Sequence, residues 1–189
     1  MARKRAVPAT VAQAWVELIT EDPEAVSALA VARAHLESAR ALRNLRRLRL
    51  IELEGGLPPP AELGLLLHRS IQFYNPHKER CHVRTAAADP VPIDADERAV
   101  LVWERGGERR GSAERWWRHE TGAAVVVREG VAWVMSFDLP APEVPAAVEA
   151  LTLLRDREHG LLCNPHAQDH RVAAAEIPLR WLVAESPRR

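Results

Sequence analysis

The sequence predicts an α+β fold, in which a helical N-terminal arm (residues 8–55) packs on an α+β body with a mostly antiparallel sheet (residues 62–184). Apolar residues recur at helical spacing through much of the first fifty residues, and short apolar runs bounded by turn residues follow after Pro60. The chain also shows neither a regular strand–helix alternation nor a glycine-rich phosphate loop, which disfavours a parallel α/β fold.

The arm is predicted as two helices. Thr10 is a suitable N-cap for the first helix, and Asp22 followed by Pro23 opens the second. The second helix has an apolar stripe at Ala25, Ala28, Leu29, Ala32, Leu36 and Ala39. The stripe breaks near Arg43, where we predict a kink or an end. Gly55, Gly56 and the following "LPPP" close the helical region.

The body is predicted to contain several short strands and two helices. The predicted strands lie at residues 69–74, 80–84 and 99–105, in a hairpin over 123–137 that turns at Glu129 and Gly130, and in the C-terminal runs "GLLC" and "HRVAAAEIPLRWLV". The predicted helices lie at residues 112–120 and 141–160, and "DPVPID" is predicted as a loop.

The composition restricts the expected cellular localisation and the class of partner. The chain carries 26 basic and 26 acidic residues, so no overall charge draws it to nucleic acid or to an acidic membrane. It contains two cysteines, far fewer than a secreted disulfide scaffold. We find no apolar run typical of a signal peptide or a membrane span. We therefore expect a cytoplasmic protein with reduced thiols and no membrane partner.

The most distinctive feature is a repeated Asn-Pro-His motif in "YNPHKERCHV" and "CNPHAQDHRV". In each copy a second residue able to bind a metal stands four positions after the His. If the repeat is an internal duplication, two similar hairpins related by a pseudo-twofold axis would offer four ligands suited to tetrahedral zinc. The predicted ligands are His77, Cys81, His166 and His170, with Cys163 and His82 as alternates.

The same cluster supports other interpretations. A closed four-ligand site would be structural, whereas a catalytic zinc of the hydrolase type would use Glu79 or Asp169 as its base. A Cys81 nucleophile beside His82 is a weaker alternative, because adjacent strand residues point to opposite faces. Without a metal, the histidines are polar turn residues, the cysteines are small buried residues, and the carboxylates are solvated.

A basic stretch at residues 40–49, "RALRNLRRLR", carries five arginines and no acid. On a helix, Arg40, Arg43 and Arg47 would share one face and would contact phosphates or an acidic partner. The alternative is a solvated face, because acidic residues flank the stretch and the whole chain is neutral.

Two adjacent tryptophans, Trp116 and Trp117, lie in the helix predicted at residues 112–120. Neighbouring helical residues cannot both face the core squarely, so we expect one to be buried and the other to lie at a rim. An exposed Trp is a typical interface anchor, which makes this pair a candidate contact for a protein partner.

These observations favour a cytoplasmic binding or accessory subunit of a larger assembly, with a structural zinc site or a ligand-lined cleft at the paired turns. Its contact with a protein partner or a second copy would be the helical arm or the region of Trp116 and Trp117. The first alternative is a small metal-dependent enzyme of the hydrolase type that uses the same cluster. The second is a nucleic-acid-binding module that uses residues 40–49.

Overall fold

The structure is a computed structural model that describes residues 10–173 and 176–182. Within them the chain forms one antiparallel sheet of six strands, four α-helices and a short 3-10 turn at Glu37–Ala39, which confirms a mixed α+β fold. The elements are β1 (Thr10–Leu18), α1 (Pro23–His35), β2 (Leu42–Gly55), α2 (Pro60–His68), β3 (Glu79–Arg84), β4 (Arg98–Glu104), α3 (Gly111–Thr121), β5 (Val125–Phe137), α4 (Val144–Thr152) and β6 (Gln168–Val172).

The sheet is built from two halves of the same topology. Each half runs β–α–β–α–β, and the strand order β3-β1-β2-β5-β4-β6 is the same when it is read from either edge inward. In the first half Trp15 pairs with Leu50 and His82, and in the second half Leu101 pairs with Ala132 and Arg171.

These matching registers locate the symmetry axis that relates the two halves at the centre of the sheet. When Leu50 is aligned with Ala132, Arg49 becomes equivalent to Val131, and these two residues are direct partners across β2 and β5. A pseudo-twofold axis therefore passes through the Arg49–Val131 pair.

The predicted helical arm is wrong at both of its ends, because residues 10–18 and 42–55 are strands. Ala12 and Ala14 of β1 pack under the helices, while Trp15 is buried on the opposite face of the sheet. A strand buried on both faces has a continuous apolar sequence, which resembles a buried helix. The break predicted near Arg43 is the start of β2. The middle of the arm is confirmed as α1, whose N-cap Asp22 accepts a hydrogen bond from the Glu24 N–H.

Several elements of the body also differ from prediction. The predicted hairpin at residues 123–137 is instead one strand, β5, and Gly130 lies inside it. A Cβ at position 130 would lie 3.0 Å from side-chain atoms of Leu101 and Leu182, which explains why this residue is glycine. Residues 69–74 form turns, and the predicted helix at 141–160 ends at Thr152. No strand follows β6 in the described C-terminal residues 176–182. Positions 8–9, 174–175 and 183–184 of the predicted ranges lie outside the described residues.

The helices cover one face of the sheet, called the helix face, and they interlock the two halves. α1 of the first half packs in one apolar cluster with α4 of the second, and α2 packs in another cluster with α3. Each half therefore completes the core of the other, as expected for one cooperative unit. No helix in the described part of the chain combines the length and the apolar character needed to cross a membrane.

A row of buried polar side chains crosses the other face of the sheet. Arg84, Gln13 and Glu52 are neighbours on β3, β1 and β2, and each is at most 4% exposed. They bind the main chain of residues 176–182, called the C-terminal strap. Arg84 and Gln13 donate to the Ile177 and Pro178 carbonyls, and Glu52 accepts from the N–H groups of Trp181 and Leu182. The strap and residues 85–97 together cover this face.

Candidate functional site

The two Asn-Pro-His turns have the same hydrogen-bond pattern. The side-chain oxygens of Asn75 and Asn164 accept hydrogen bonds from the N–H groups of His77 and His166, at 3.1 and 3.0 Å. The N–H of each Asn donates to the side chain four residues later, Glu79 at 2.6 Å or Gln168 at 2.9 Å. The repeated Asn and Pro are thus explained by turn formation before an edge strand.

The turns lie at opposite edges of the sheet, because one precedes β3 and the other precedes β6. Five strand spacings of about 4.8 Å separate these edges by roughly 24 Å. The predicted grouping of His77 and Cys81 with His166 and His170 is therefore wrong, and so is the alternate set that includes Cys163. No cluster of three or more metal-binding side chains occurs among residues 10–173 and 176–182. Zinc binding stays a prediction, without the ligand set that suggested it.

Both thiols are held in the protonated state by burial. Burial raises the pKa of Cys81 to about 12, with Glu79 adding to the rise and Arg49 opposing it. Burial also raises the pKa of Cys163, which is fully buried. Because the thiolate is the nucleophile, neither cysteine is prepared for nucleophilic chemistry. The ring of His82 contacts the Pro90 carbonyl instead of Cys81.

We expect Cys81 and Cys163 to be alkylated by iodoacetamide at neutral pH at least about tenfold more slowly in the native protein than in denaturant, because the pKa of both thiols is raised in the fold. Cys163 is also inaccessible, whereas Cys81 is only partly buried. Peptide mass spectrometry after timed quenching measures each site separately. Rapid labelling of either cysteine in the folded chain would contradict this expectation and would support the hypothesis of a reactive thiol.

The carboxylates considered as catalytic bases are engaged in ion pairs. Glu79 lies 3.0 Å from Arg49, and Asp169 lies 3.0 Å from Arg105. Glu79 also accepts the turn hydrogen bond from Asn75. Each carboxylate thus has a structural partner within its own half of the sheet.

The arginines of residues 40–49 lie mainly on a strand, so the predicted shared helical face does not exist. Arg43 pairs with Asp96, and Arg47 lies 3.3 Å from Asp22 and 2.9 Å from Glu24. Arg40 pairs with Glu37 just before β2. Since acids already neutralise these guanidinium groups, the stretch has little charge left for phosphate binding.

Near the pseudo-twofold axis, the two halves contain equivalent ion pairs in which the positions of the acid and the base are exchanged. Arg47 on β2 binds Asp22, the N-cap of α1, and the equivalent Glu129 on β5 binds Arg110, the N-cap of α3. Arg49 bridges the halves by contacting Glu129. These charges therefore join helices to strands at the centre of the molecule.

The tryptophan pair divides as its helical spacing predicts. Trp117 is completely buried, whereas Trp116 is half-buried. Both rings contact Phe73 edge-on, with centroids 5.6 Å away for Trp116 and 6.1 Å for Trp117. Only Trp116 is thus available to contact a partner.

A groove of about 1260 Å³ lies beside β6. It exists because the second half lacks a cover that the first half has. On β3, Cys81 and Val83 pack into the cluster that contains α2. The equivalent β6 residues, His170 and Val172, line the groove, and Val172 is 46% exposed.

The groove has apolar walls and an acidic rim. Its apolar residues include Val91, Ile93, Val148, Val172 and Ile177, and its acids include Asp94, Glu149 and Glu176. Burial lowers the pKa of His170, against a smaller opposing effect of Asp169, so this ring is neutral at physiological pH.

The described groove lining contains no serine, threonine, cysteine or lysine, and therefore offers none of these nucleophiles. Its combination of apolar walls and a charged rim is typical of a binding surface. This groove is consequently the candidate functional site. No protein family model, curated protein or solved structure matches the chain.

Proposed function

We propose that this protein is a cytoplasmic protein-binding subunit of a larger assembly and that it holds part of its partner in the groove beside β6. The observation that carries the proposal is the uncovered edge of the second half, where His170 and Val172 line a groove instead of packing under a helix. A partner segment would supply the missing cover and bury apolar surface.

The chemistry of the chain supports binding more than catalysis. The two cysteines are free, as expected in a reducing compartment, and burial keeps both protonated. The charged groups considered for hydrolysis or for phosphate binding form ion pairs within the fold.

A photo-crosslinking amino acid at position 172 tests the proposal in cells that naturally make the protein. We expect a single partner protein to crosslink at this site, because Val172 lies in the groove. The matched control is position 31 on α1, since Val31 is 45% exposed and lies outside the groove. Mass spectrometry identifies the partner, and purification of both proteins then establishes whether a stoichiometric complex forms.

In the reconstituted complex, V172K should weaken partner binding by about tenfold or more, while V31K should leave it unchanged. Calorimetry measures both affinities. Equal crosslinking at the two positions, or equal affinity of the two variants, would contradict the proposed function.

A further inference from the structure

The groove runs beside a strand whose outer edge is open. β6 is the last strand of the sheet, and no other described segment pairs with its outer side. An unpaired edge presents main-chain N–H and C=O groups that another extended segment can bind. A partner lying along β6 would therefore gain main-chain hydrogen bonds.

The walls of the groove suit a strand because they lie on both faces of the sheet. His170 and Val172 pair with Val102 and Val100, which belong to the helix-face core, and α4 contributes Val148 beside them. On the other face the lining includes Ile177 of the strap, with Val91 and Ile93, which pack against the same apolar cluster. The alternating side chains of an added strand would enter these two apolar surfaces in turn.

The negative charge around the groove favours a cationic partner segment. Asp94, Glu149 and Glu176 are exposed, and none forms an ion pair with a described residue. Two cations also line the groove: Arg84 donates to the carbonyls of Ala87, Asp89 and Ile177, and Arg98 donates to those of Ala95 and Glu97. The carboxylates of the same lining outnumber them, at Asp89, Asp94, Glu97, Glu149 and Glu176. The rim is thus acidic toward a ligand.

We infer that the partner segment is an extended strand, with a branched aliphatic centre flanked by lysine or arginine, that adds to β6 as a seventh strand. This inference rests on the proposed function and specifies the chemistry of the partner. The aliphatic centre fills the two apolar walls, and the flanking cations face Asp94, Glu149 and Glu176.

A labelled peptide with four central valines and two lysines at each end is the probe. We expect saturable binding to the full chain by fluorescence anisotropy, weakened about tenfold or more by V172K and unchanged by V31K. A peptide with glutamates in place of the lysines should bind at least about tenfold more weakly. Methylating alternate backbone nitrogens on the strand-pairing side should abolish binding, because it removes the main-chain donors.

The controls separate this inference from the proposed function. Equal binding of the lysine and glutamate peptides, or full binding of the methylated peptide, would overturn the inference. So would the absence of any binding. If the crosslinked partner still required Val172 in any of these cases, the groove would remain a protein-binding site and only its strand-shaped, cationic ligand would be rejected.

Discussion

Replacing Arg49 by methionine is expected to lower the free energy of unfolding by about 3 kcal/mol, because two largely buried carboxylates lose their shared cation. The guanidinium lies 3.0 Å from Glu79 and 3.3 Å from Glu129, and it donates to the Phe73 carbonyl at 2.8 Å. The two glutamates are 17% and 18% exposed, so water replaces the lost partner poorly. Methionine keeps the apolar stem and removes only the charge and the hydrogen bonds.

Urea unfolding followed by circular dichroism measures this loss. The matched control is R40M, since Arg40 is 78% exposed where it pairs with Glu37, and an exposed pair contributes about 0–1 kcal/mol. The double variant R49M/E79Q should recover part of the stability, because R49M removes the cation paired with Glu79, whereas Glu129 keeps its pair with Arg110. Equal stability of R49M and R40M would show that the charges at the axis do not hold the halves together.

Local signals in the sequence predict the elements that depend on local chemistry. Asp22 and Pro23 mark the start of α1, where the side chain of Asp22 caps the helix. This feature requires no knowledge of distant residues. β1 resembles a helix in sequence because burial on both faces hides the two-residue period of a strand. In β2 the buried residues Leu42, Leu45 and Leu48 recur every third residue, which also hides that period.

The repeated motif shows why a site is harder to predict than a turn. The sequence identifies Asn75 and Asn164 as equivalent, and the structure gives them equivalent hydrogen bonds. Equivalent residues related by a twofold axis meet only when they lie close to that axis. The axis passes through Arg49 and Val131, so turns that precede the edge strands are as far apart as the sheet allows.

The groove has no signature in the sequence. It depends on the different packing of α2 and α4 over equivalent edge strands, which is a tertiary property of both halves. Val172 follows the same Asn-Pro-His pattern as Val83, yet Val83 packs in the core and Val172 is exposed.

Truncating Trp117 to alanine should cost about 3–5 kcal/mol, the range for deleting a large buried aromatic side chain. Trp117 is completely buried and its ring packs against Phe73 in the cluster that joins α2, α3 and the sheet. The adjacent W116A variant is the matched control, because Trp116 has the same side chain in the same helix but is only half-buried. Thermal and urea unfolding should show a much smaller loss for W116A.

A phenylalanine at position 117 separates packing from polarity. The Trp117 Nε1–H is buried without a hydrogen-bond partner among the described residues. Phenylalanine removes this unsatisfied donor while keeping most of the ring volume, and the relief of about 1–3 kcal/mol offsets part of the lost packing. W117F should therefore be far more stable than W117A. If W117F unfolded as easily as W117A, Trp117 would be held by a polar contact that its buried nitrogen makes in solution, and packing alone would not explain its place in the core.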